Sequence, residues 1–258
     1  VLLGTVFQSS PLILLALKDS NINNLNDMVD KKIMLANNQK DFGIFRSMFR
    51  NQDIDPNYLT FIPHTFKIDD LINKNADVMS AYSTNELFLV KEKGYETTIF
   101  DPKDFGFDFY DDILFTSNEF AEKNPQLVKD FYDASIKGWE YSFNNIEEVS
   151  KLIYEKYNTQ NKSLDSLIFE ANEMKRLVYD KDGKIGTIRR DKLNIIINTY
   201  KVMGLIKSSV NFDDLIYKKH LNNSFTLSKE ESDYLKNKKE IKFCLDPDWM
   251  PFEKIEDN

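Results

Sequence analysis

The sequence contains very little cysteine, histidine, glycine and proline, and each shortage excludes a class of protein. With one cysteine, Cys244, among 258 residues, no internal disulfide and no cysteine-based zinc cluster can form. The two histidines, His64 and His220, lie far apart in the sequence, which disfavours a Ser-His-Asp triad or a histidine-based metal site. Only 8 glycines and 7 prolines are present, so the chain is neither collagen-like nor a low-complexity disordered protein.

The chain also lacks an excess of basic residues, a long apolar run and a phosphate-binding loop. It has 34 basic against 42 acidic residues and a net charge of −8, so we expect no nucleic-acid partner. The longest apolar run, Leu12–Leu17, is far shorter than the roughly 20 residues that cross a bilayer, so we expect no membrane insertion of this region. No G-x-G-x-x-G, G-x-x-x-x-G-K-[ST] or G-x-S-x-G motif occurs, and we expect no cofactor, no metal and no catalytic residue.

Strand and helix patterns alternate in the first part of the chain. Short apolar runs predict strands at 32–36, 58–62, 76–81, 96–100 and 113–116. Apolar residues three and four apart predict helices at 24–29, 42–50, 66–73 and 85–93. This alternation favours a largely parallel sheet covered by helices, which is an α/β fold.

From residue 118 to residue 205 the pattern is helical almost throughout. Pro125 suits the first turn of a helix, and helices at 146–157, 163–179 and 189–203 follow, the last ending near Gly204. The residues from Asp180 to Gly183 predict a simple turn, because the glycine and glutamate spacing of a calcium loop is absent.

Polar residues follow two of the predicted strands at positions where open α/β sheets bind ligands. Ser9 and Ser10 come after the strand-like opening of the chain, and a turn before a helix is the alternative interpretation. Asn38 and Asp41 come after the strand at 32–36, where Asp41 also suits a helix cap. These four residues are candidate ligand contacts.

Two further candidate groups contain aromatic residues. Tyr82, Asn85 and Glu86 follow the strand at 76–81, and an aromatic face beside a carboxylate suits a flat, cationic or amino-bearing heterocycle. Ser83 and Glu86 also match a helix capping box, so a helix start without a ligand stays open. Tyr110 lies in the aromatic loop 105–112, which either lines a crevice or covers the core.

Four segments resemble a known family: FQSSPL at 7–12 continuing through Leu17 and Lys18, residues 27–35, DVMSAY at 77–82 and FDFYDDIL at 107–114. They are similar to the thiamine-precursor-binding branch of the ABC-transporter solute-binding proteins. The resemblance covers about residues 1–206 and implies a two-lobed type II periplasmic-binding-protein fold, with helices around mixed sheets and a cleft that closes on a small molecule. It also implies that the N-terminal part of this domain precedes Val1.

The resemblance assigns a role to each main candidate. The Tyr-x-x-x-Glu of the pyrimidine-binding members maps onto Tyr82, which would stack on the ligand, and Glu86, which would accept from its amino or protonated ring group. Asn38, Asn85 and Tyr110 would supply orienting hydrogen bonds.

A second resemblance lies near the C-terminus, where IKFCLDPDWMPFE at 241–253 is similar to the opening of an amino-acid-binding solute-binding domain. It predicts a solute-binding domain at 1–206, a helical connector at 207–239 and a truncated second domain at 240–258. Such tandem domains resemble the periplasmic sensor regions of bacterial histidine kinases and diguanylate cyclases.

We therefore expect a non-catalytic periplasmic sensor domain for a small molecule, with a membrane tether elsewhere in the full protein and a homodimer as a further option. The alternatives are a free ABC-transporter binding protein and an enzyme related to pyrimidine synthesis.

Overall fold

The computed structural model describes residues 1–36, 39–207 and 211–217, together with residues 234 and 237. The chain divides into two compact units, Val1–Tyr217 and Lys218–Asn258, and the fold given below is that of the first. Most of the predicted connector at 207–239 and all of the predicted second domain at 240–258 lie outside the described residues. In the described part, no helix is both long and apolar enough to span a membrane.

The described part contains strands and helices that alternate up to residue 115 and helices thereafter. The strands are β1 (Leu2–Phe7), β2 (Leu12–Leu17), β3 (Lys32–Leu35), β4 (Thr60–Pro63), β5 (Val78–Tyr82), β6 (Thr97–Phe100) and β7 (Asp111–Phe115). The helices are α1 (Gln39–Arg50), α2 (Asp69–Ile72), α3 (Glu86–Glu92), α4 (Asn118–Lys123), α5 (Pro125–Asn144), α6 (Ile146–Lys156), α7 (Leu164–Val178), α8 (Arg190–Val202) and α9 (Phe212–Leu215). Short 3₁₀ turns occur at Lys18–Ser20, Leu25–Met28, Pro56–Tyr58 and Pro102–Phe105.

The larger sheet has five strands in the order β4-β3-β5-β2-β6. β3 pairs in parallel with β4 and β5, whereas β2 pairs antiparallel with both β5 and β6. Four strands therefore point the same way and β2 runs against them. The expected α/β fold with mixed sheets is confirmed, and the largely parallel sheet contains one inserted antiparallel strand.

The six-residue apolar run Leu12–Leu17 forms β2, which is buried on both faces of the larger sheet. Its alternate residues enter two different hydrophobic clusters on opposite faces of the sheet, and all six are buried. Phe45 and Phe49 of α1 cover one face, and Leu71 of α2 with Val90 of α3 covers the other. Each large apolar side chain buried in this way contributes about 1.5–3 kcal/mol. The alternative that the chain turns into a helix after Pro11 is wrong, because β2 begins there.

The smaller sheet pairs β1 antiparallel with β7 and lies among the helices that follow it. Phe7 at the end of β1 packs with Phe143 of α5, Val178 of α7 and Ile185. After α9, the Tyr217 N–H donates to the Leu2 carbonyl at 2.9 Å, so residues up to 217 belong to this unit.

Two helix predictions fail where an extended or left-handed residue interrupts the helical backbone. At 24–29 only the 3₁₀ turn Leu25–Met28 forms: a capping box between Asn24 and Asp27 begins it, and it ends because Val29 is extended and Asp30 has a φ of 63°. The helix expected at 66–73 is reduced to α2, because Phe66 has a φ of 62° and cannot belong to a right-handed helix.

Other local predictions are confirmed. Pro125 is the first residue of α5, and Gly204, with a φ of 75°, follows the C-cap of α8. The predicted turn also forms, with Asp180 Oδ1 accepting the N–H groups of Asp182 and Lys184.

Candidate functional site

Two crossover segments, residues 8–11 and 106–110, connect the smaller sheet to the larger one. The first joins β1 to β2 and the second leads from the 3₁₀ turn Pro102–Phe105 into β7. They lie side by side, since the Ser10 N–H donates to the Phe109 carbonyl at 2.9 Å. Hinge motions in proteins are absorbed by a few residues in connecting segments of this kind.

Ser9 and Ser10 both lie in the first crossover segment. The Ser10 hydroxyl donates to Asp111 Oδ2 at 2.6 Å and accepts the Leu12 N–H at 3.2 Å. The Ser9 N–H donates to the Leu177 carbonyl of α7 at 3.3 Å. The structure therefore places both serines at the junction of the two sheets and gives each a hydrogen bond within the protein.

Lys192 of α8 contacts both crossover segments, although no sequence pattern singled it out. Its ε-ammonium donates to the Gln8 carbonyl and to Asp108 Oδ2, and it lies 5.0 Å from the centre of the Tyr110 ring. The Lys192 side chain is only 14% exposed. Asp108 Oδ1 is buried and has no hydrogen-bond partner among the described residues. One buried cation thus holds the two crossovers together.

Beside the first crossover, the carboxyl ends of three parallel strands meet. We call this region, residues 36, 64–66 and 80–86, the strand-end edge. The Ala36 N–H after β3 donates to Ser80 Oγ at 3.4 Å, and the His64 ring after β4 bonds the Ser80 carbonyl of β5 at 2.7 Å. The Ser83 N–H donates to the Pro11 carbonyl at 2.9 Å, which joins the edge to the crossover. Open α/β sheets bind ligands at such an edge.

The structure brings Tyr82, Asn85 and Glu86 together at this edge. The Glu86 carboxylate accepts the Tyr82 N–H through Oε2 and the Asn85 side-chain amide through Oε1, both at 2.8 Å. The Tyr82 side chain is 46% exposed. The capping box predicted for Ser83 and Glu86 is wrong, because α3 begins only at Glu86 and Asn85 takes the N-cap position without a side-chain cap bond.

Asn85 has an unusual side chain for a helix N-cap. Asparagine at this position ordinarily accepts a backbone N–H of the first turn through its side-chain oxygen. Here Asn85 Oδ1 makes no such bond, and it is buried without a partner among the described residues. Because the amide nitrogen is directed at Glu86, the opposite orientation would set Oδ1 against a carboxylate oxygen. The arrangement leaves a buried, unused acceptor beside a carboxylate.

Two candidates, Asn38 and Asp41, follow β3 in the sequence. Asn38 lies outside the described residues, and for Asp41 only the backbone is described. The interpretation of Asp41 as a helix cap is wrong, because α1 already includes Gln39 and Asp41 therefore lies inside the first turn.

Tyr110 lies in the second crossover segment and packs in the core cluster with Ile196 of α8. The side chain is 4% exposed and its hydroxyl accepts the Arg189 N–H at 3.0 Å. Burial raises the pKa of the Tyr110 hydroxyl above its ordinary value. Tyr110 is thus placed against α8, and an orienting bond from it to a ligand stays a prediction.

His64 and Phe66 at the strand-end edge were missed by sequence reasoning. The Phe66 side chain is 80% exposed, and its ring centre lies 4.6 Å from that of His64. The signal that was available is the polar residue that follows the strand. The strand predicted at 58–62 ends in the structure at Pro63, so this residue is His64. It was overlooked because a helix was predicted to begin at Phe66.

A cavity of about 650 Å³ lies elsewhere, between α5, α6 and α7. Trp139, Phe143 and Met174 contribute to its apolar wall, and none of the described candidate residues lines it. In the described part of the chain, no group of three or more His, Cys, Asp and Glu residues is placed to hold a metal ion.

Comparison with known proteins identifies the family. The sequence model of the NMT1/THI5-like family matches residues 1–149. A formylaminopyrimidine-binding protein of Halalkalibacterium halodurans is 28% identical over 85 residues, which are 32% of this chain and about a quarter of that protein (26%). A periplasmic sulfonate-binding protein from Methylobacillus flagellatus KT superposes with a TM-score of 0.61 at 13% identity, covering 91% of this chain and 69% of that one.

The same fold also occurs in an enzyme. The desulfurization enzyme DSZB superposes with a TM-score of 0.52 at 12% identity, covering 86% of this chain and 78% of that one. At such low identity the structural likenesses establish the fold, and a fold alone does not select between binding and catalysis. The sequence match is the stronger evidence, because it extends over more than half of the chain and includes both sheets. The protein is therefore a member of the NMT1/THI5-like family.

Proposed function

We propose that this chain is the ligand-binding domain of a periplasmic solute-binding protein or receptor and that its strand-end edge binds a flat, amino-bearing heterocycle of the aminopyrimidine type. The observation that carries the proposal is the unpartnered, buried Oδ1 of Asn85 next to the Glu86 carboxylate. Membership of the NMT1/THI5-like family and the partial match to a formylaminopyrimidine-binding protein support the same ligand class.

The polar groups at the edge are acceptors, which favours a ligand that donates hydrogen bonds. A buried acceptor without a partner costs about 1–3 kcal/mol, and a rotation of the Asn85 side chain that brings Oδ1 to a ligand N–H removes this cost. Each Glu86 oxygen already accepts one protein N–H, and each can accept a second hydrogen bond. An amino group and a ring N–H are therefore the complementary ligand groups.

Tyr82 supplies the apolar surface for the ring of the ligand. Its side chain is 46% exposed although it follows the buried strand residues Ser80 and Ala81. Its backbone is held by Glu86 and, across the ladder, faces Leu12 of β2. Stacking on such a ring contributes about 0.5–1.5 kcal/mol beyond the burial of area.

The test is isothermal titration calorimetry of the full-length protein with 4-amino-2,5-dimethylpyrimidine and with 2,5-dimethylpyrimidine, which lacks the amino group. We expect the amino compound alone to bind with measurable affinity. Glu86→Gln should weaken it about ten- to a hundredfold, since a hydrogen bond to a charged group contributes about 1.5–3 kcal/mol. Glu92→Gln, on the exposed end of the same helix, is the matched control and should bind normally. Equal binding of both compounds, or normal affinity of Glu86→Gln, contradicts the proposal.

We further propose that the full protein is a membrane-tethered sensor rather than a free transport protein. The resemblance of residues 241–253 to the opening of a second solute-binding domain supports this arrangement. The test is an immunoblot of fractionated cells with an antibody against this chain. A membrane-bound species well above 30.3 kDa supports a sensor, whereas a species released with the periplasmic fraction supports a free binding protein.

A further inference from the structure

Phe66 combines a strained backbone with an exposed aromatic side chain. Its φ of 62° lies in the left-handed region, which a bulky L-residue adopts only at an energetic cost. In the described part of the chain, the other non-glycine residues with positive φ are asparagines, aspartates and a lysine. Burial of the ring does not repay the strain, because the side chain is 80% exposed. The conformation therefore needs another explanation.

His64 fixes this conformation through both of its ring nitrogens. The Phe66 N–H donates to His64 Nδ1 at 2.8 Å, so Nδ1 acts as an acceptor. The ring proton is then on Nε2, which donates to the Ser80 carbonyl at 2.7 Å. Ser80 is 5% exposed and belongs to β5, two residues before Tyr82. The position of Phe66 is thus tied to the strand that carries the proposed ligand contacts.

We propose that Phe66 is a second stacking side chain for the ligand and that His64 is its positioning residue; this inference rests on the proposed function of the same edge. Phe66 follows the carboxyl end of β4, and Tyr82 ends β5, with β3 between these two strands. Both rings are exposed at the edge where the acceptors of Asn85 and Glu86 lie. A flat heterocycle uses two aromatic contacts well, because stacking holds the ring plane and leaves its rim to the acceptors.

The experiment measures the affinity of the full-length protein for 4-amino-2,5-dimethylpyrimidine by calorimetry. Phe66→Leu keeps apolar bulk but removes the aromatic face, and we expect affinity to fall about three- to tenfold. Tyr58→Leu is the matched control: Tyr58 is 75% exposed and precedes the opposite end of β4, so its loss should leave affinity unchanged. Phe66→Gly removes the ring and suits a positive φ, so it should raise the melting temperature without ligand while lowering affinity.

His64 is tested by rescue. His64→Leu removes the acceptor for the Phe66 N–H and should lower affinity as Phe66→Leu does, whereas His64→Asn keeps an acceptor oxygen and should restore part of it. In the Phe66→Gly background, His64→Leu should cause no further loss of affinity. A merely structural histidine would lower affinity equally in both backgrounds, which overturns the positioning role.

The outcomes separate this inference from the proposed function. If wild-type protein binds the probe and Glu86→Gln weakens binding while both Phe66 variants bind normally, the edge is a ligand site and the role of Phe66 is wrong. If Tyr58→Leu weakens binding as much as Phe66→Leu, the stacking role is equally wrong. If wild-type protein fails to bind the probe, the proposed function and this inference both fall.

Discussion

Replacing Lys192 with methionine measures how strongly one cation holds the two crossover segments together. The ammonium group donates to the Gln8 carbonyl of the first segment and to the Asp108 carboxylate of the second. Methionine retains an unbranched apolar side chain of similar length, so packing along α8 is largely kept. The change in the free energy of unfolding then reports the polar contacts.

The magnitude follows from the exposure of the two partners. Breaking a buried ion pair costs about 3–5 kcal/mol, and breaking an exposed one costs at most about 1 kcal/mol. Lys192 is 14% exposed and Asp108 is 38% exposed, so this pair lies between the two cases. The loss also removes the donor to Asp108 Oδ2 while Oδ1 stays without a partner. We expect a decrease of about 2 kcal/mol, or about 4–8 °C in Tm.

The assay is urea denaturation of the full-length protein followed by far-UV circular dichroism. Lys123→Met is the control, since its pair with Glu119 is 70% and 76% exposed and should contribute less than about 0.5 kcal/mol. Adding Asp108→Asn to Lys192→Met should recover part of the loss, because an unpaired amide is less costly to bury than an unpaired charge. Equal effects of the two lysine substitutions, or no recovery in the double variant, would refute this reasoning.

Two other predictions concern the smaller sheet and the turn next to it. Gly4→Ala places a Cβ 2.6 Å from the Gly186 carbonyl oxygen and should lower the free energy of unfolding by about 1–3 kcal/mol. Gly138→Ala adds a Cβ in open space on α5 and should raise the free energy of unfolding by up to about 1 kcal/mol. Thermal melts of the two variants compare these effects. Partial burial acts to raise the pKa of Asp180, but bonds from two backbone N–H groups of its turn and from the Thr187 hydroxyl outweigh it and hold the pKa below its ordinary value. The ionised Asp180 carboxylate therefore stabilises the fold fully above the unfolded-state pKa of about 3.9, and this stabilisation is lost as the pH falls through the lower pKa of the folded state. Urea melts at successive pH values should show less acid destabilisation for Asp180→Asn than for wild type.

The part of the candidate site that is formed by residues close together in the sequence could be predicted. Tyr82, Asn85 and Glu86 lie within five consecutive residues that begin at the last residue of β5, and their hydrogen bonds span one and four positions. Such contacts depend on short stretches of backbone, so a sequence pattern indicates them directly. The capping box failed because Asn85, not Ser83, precedes the first residue of α3.

The distant part of the site could not be predicted in the same way. Lys192 bonds partners 184 and 84 positions away, and no motif relates residues at these separations. His64 reaches across 16 positions to β5, and its bond to Phe66 stabilises a backbone conformation that local propensity disfavours. A helical pattern from 66 onward was therefore misleading at its first residue.

Most strand and helix segments, and the places where polar groups follow strand ends, could be recognised from local sequence patterns. The unbroken apolar run at Leu12–Leu17 suits a strand buried on both faces, Pro125 is the first residue of α5, and Gly204 follows the C-cap of α8. No local pattern indicated that β2 is inserted antiparallel between β5 and β6 or that α8 supplies a cation to both crossovers. Periodicity and caps depend on neighbours along the chain, whereas strand order and these contacts depend on which buried surfaces and charges satisfy one another in space.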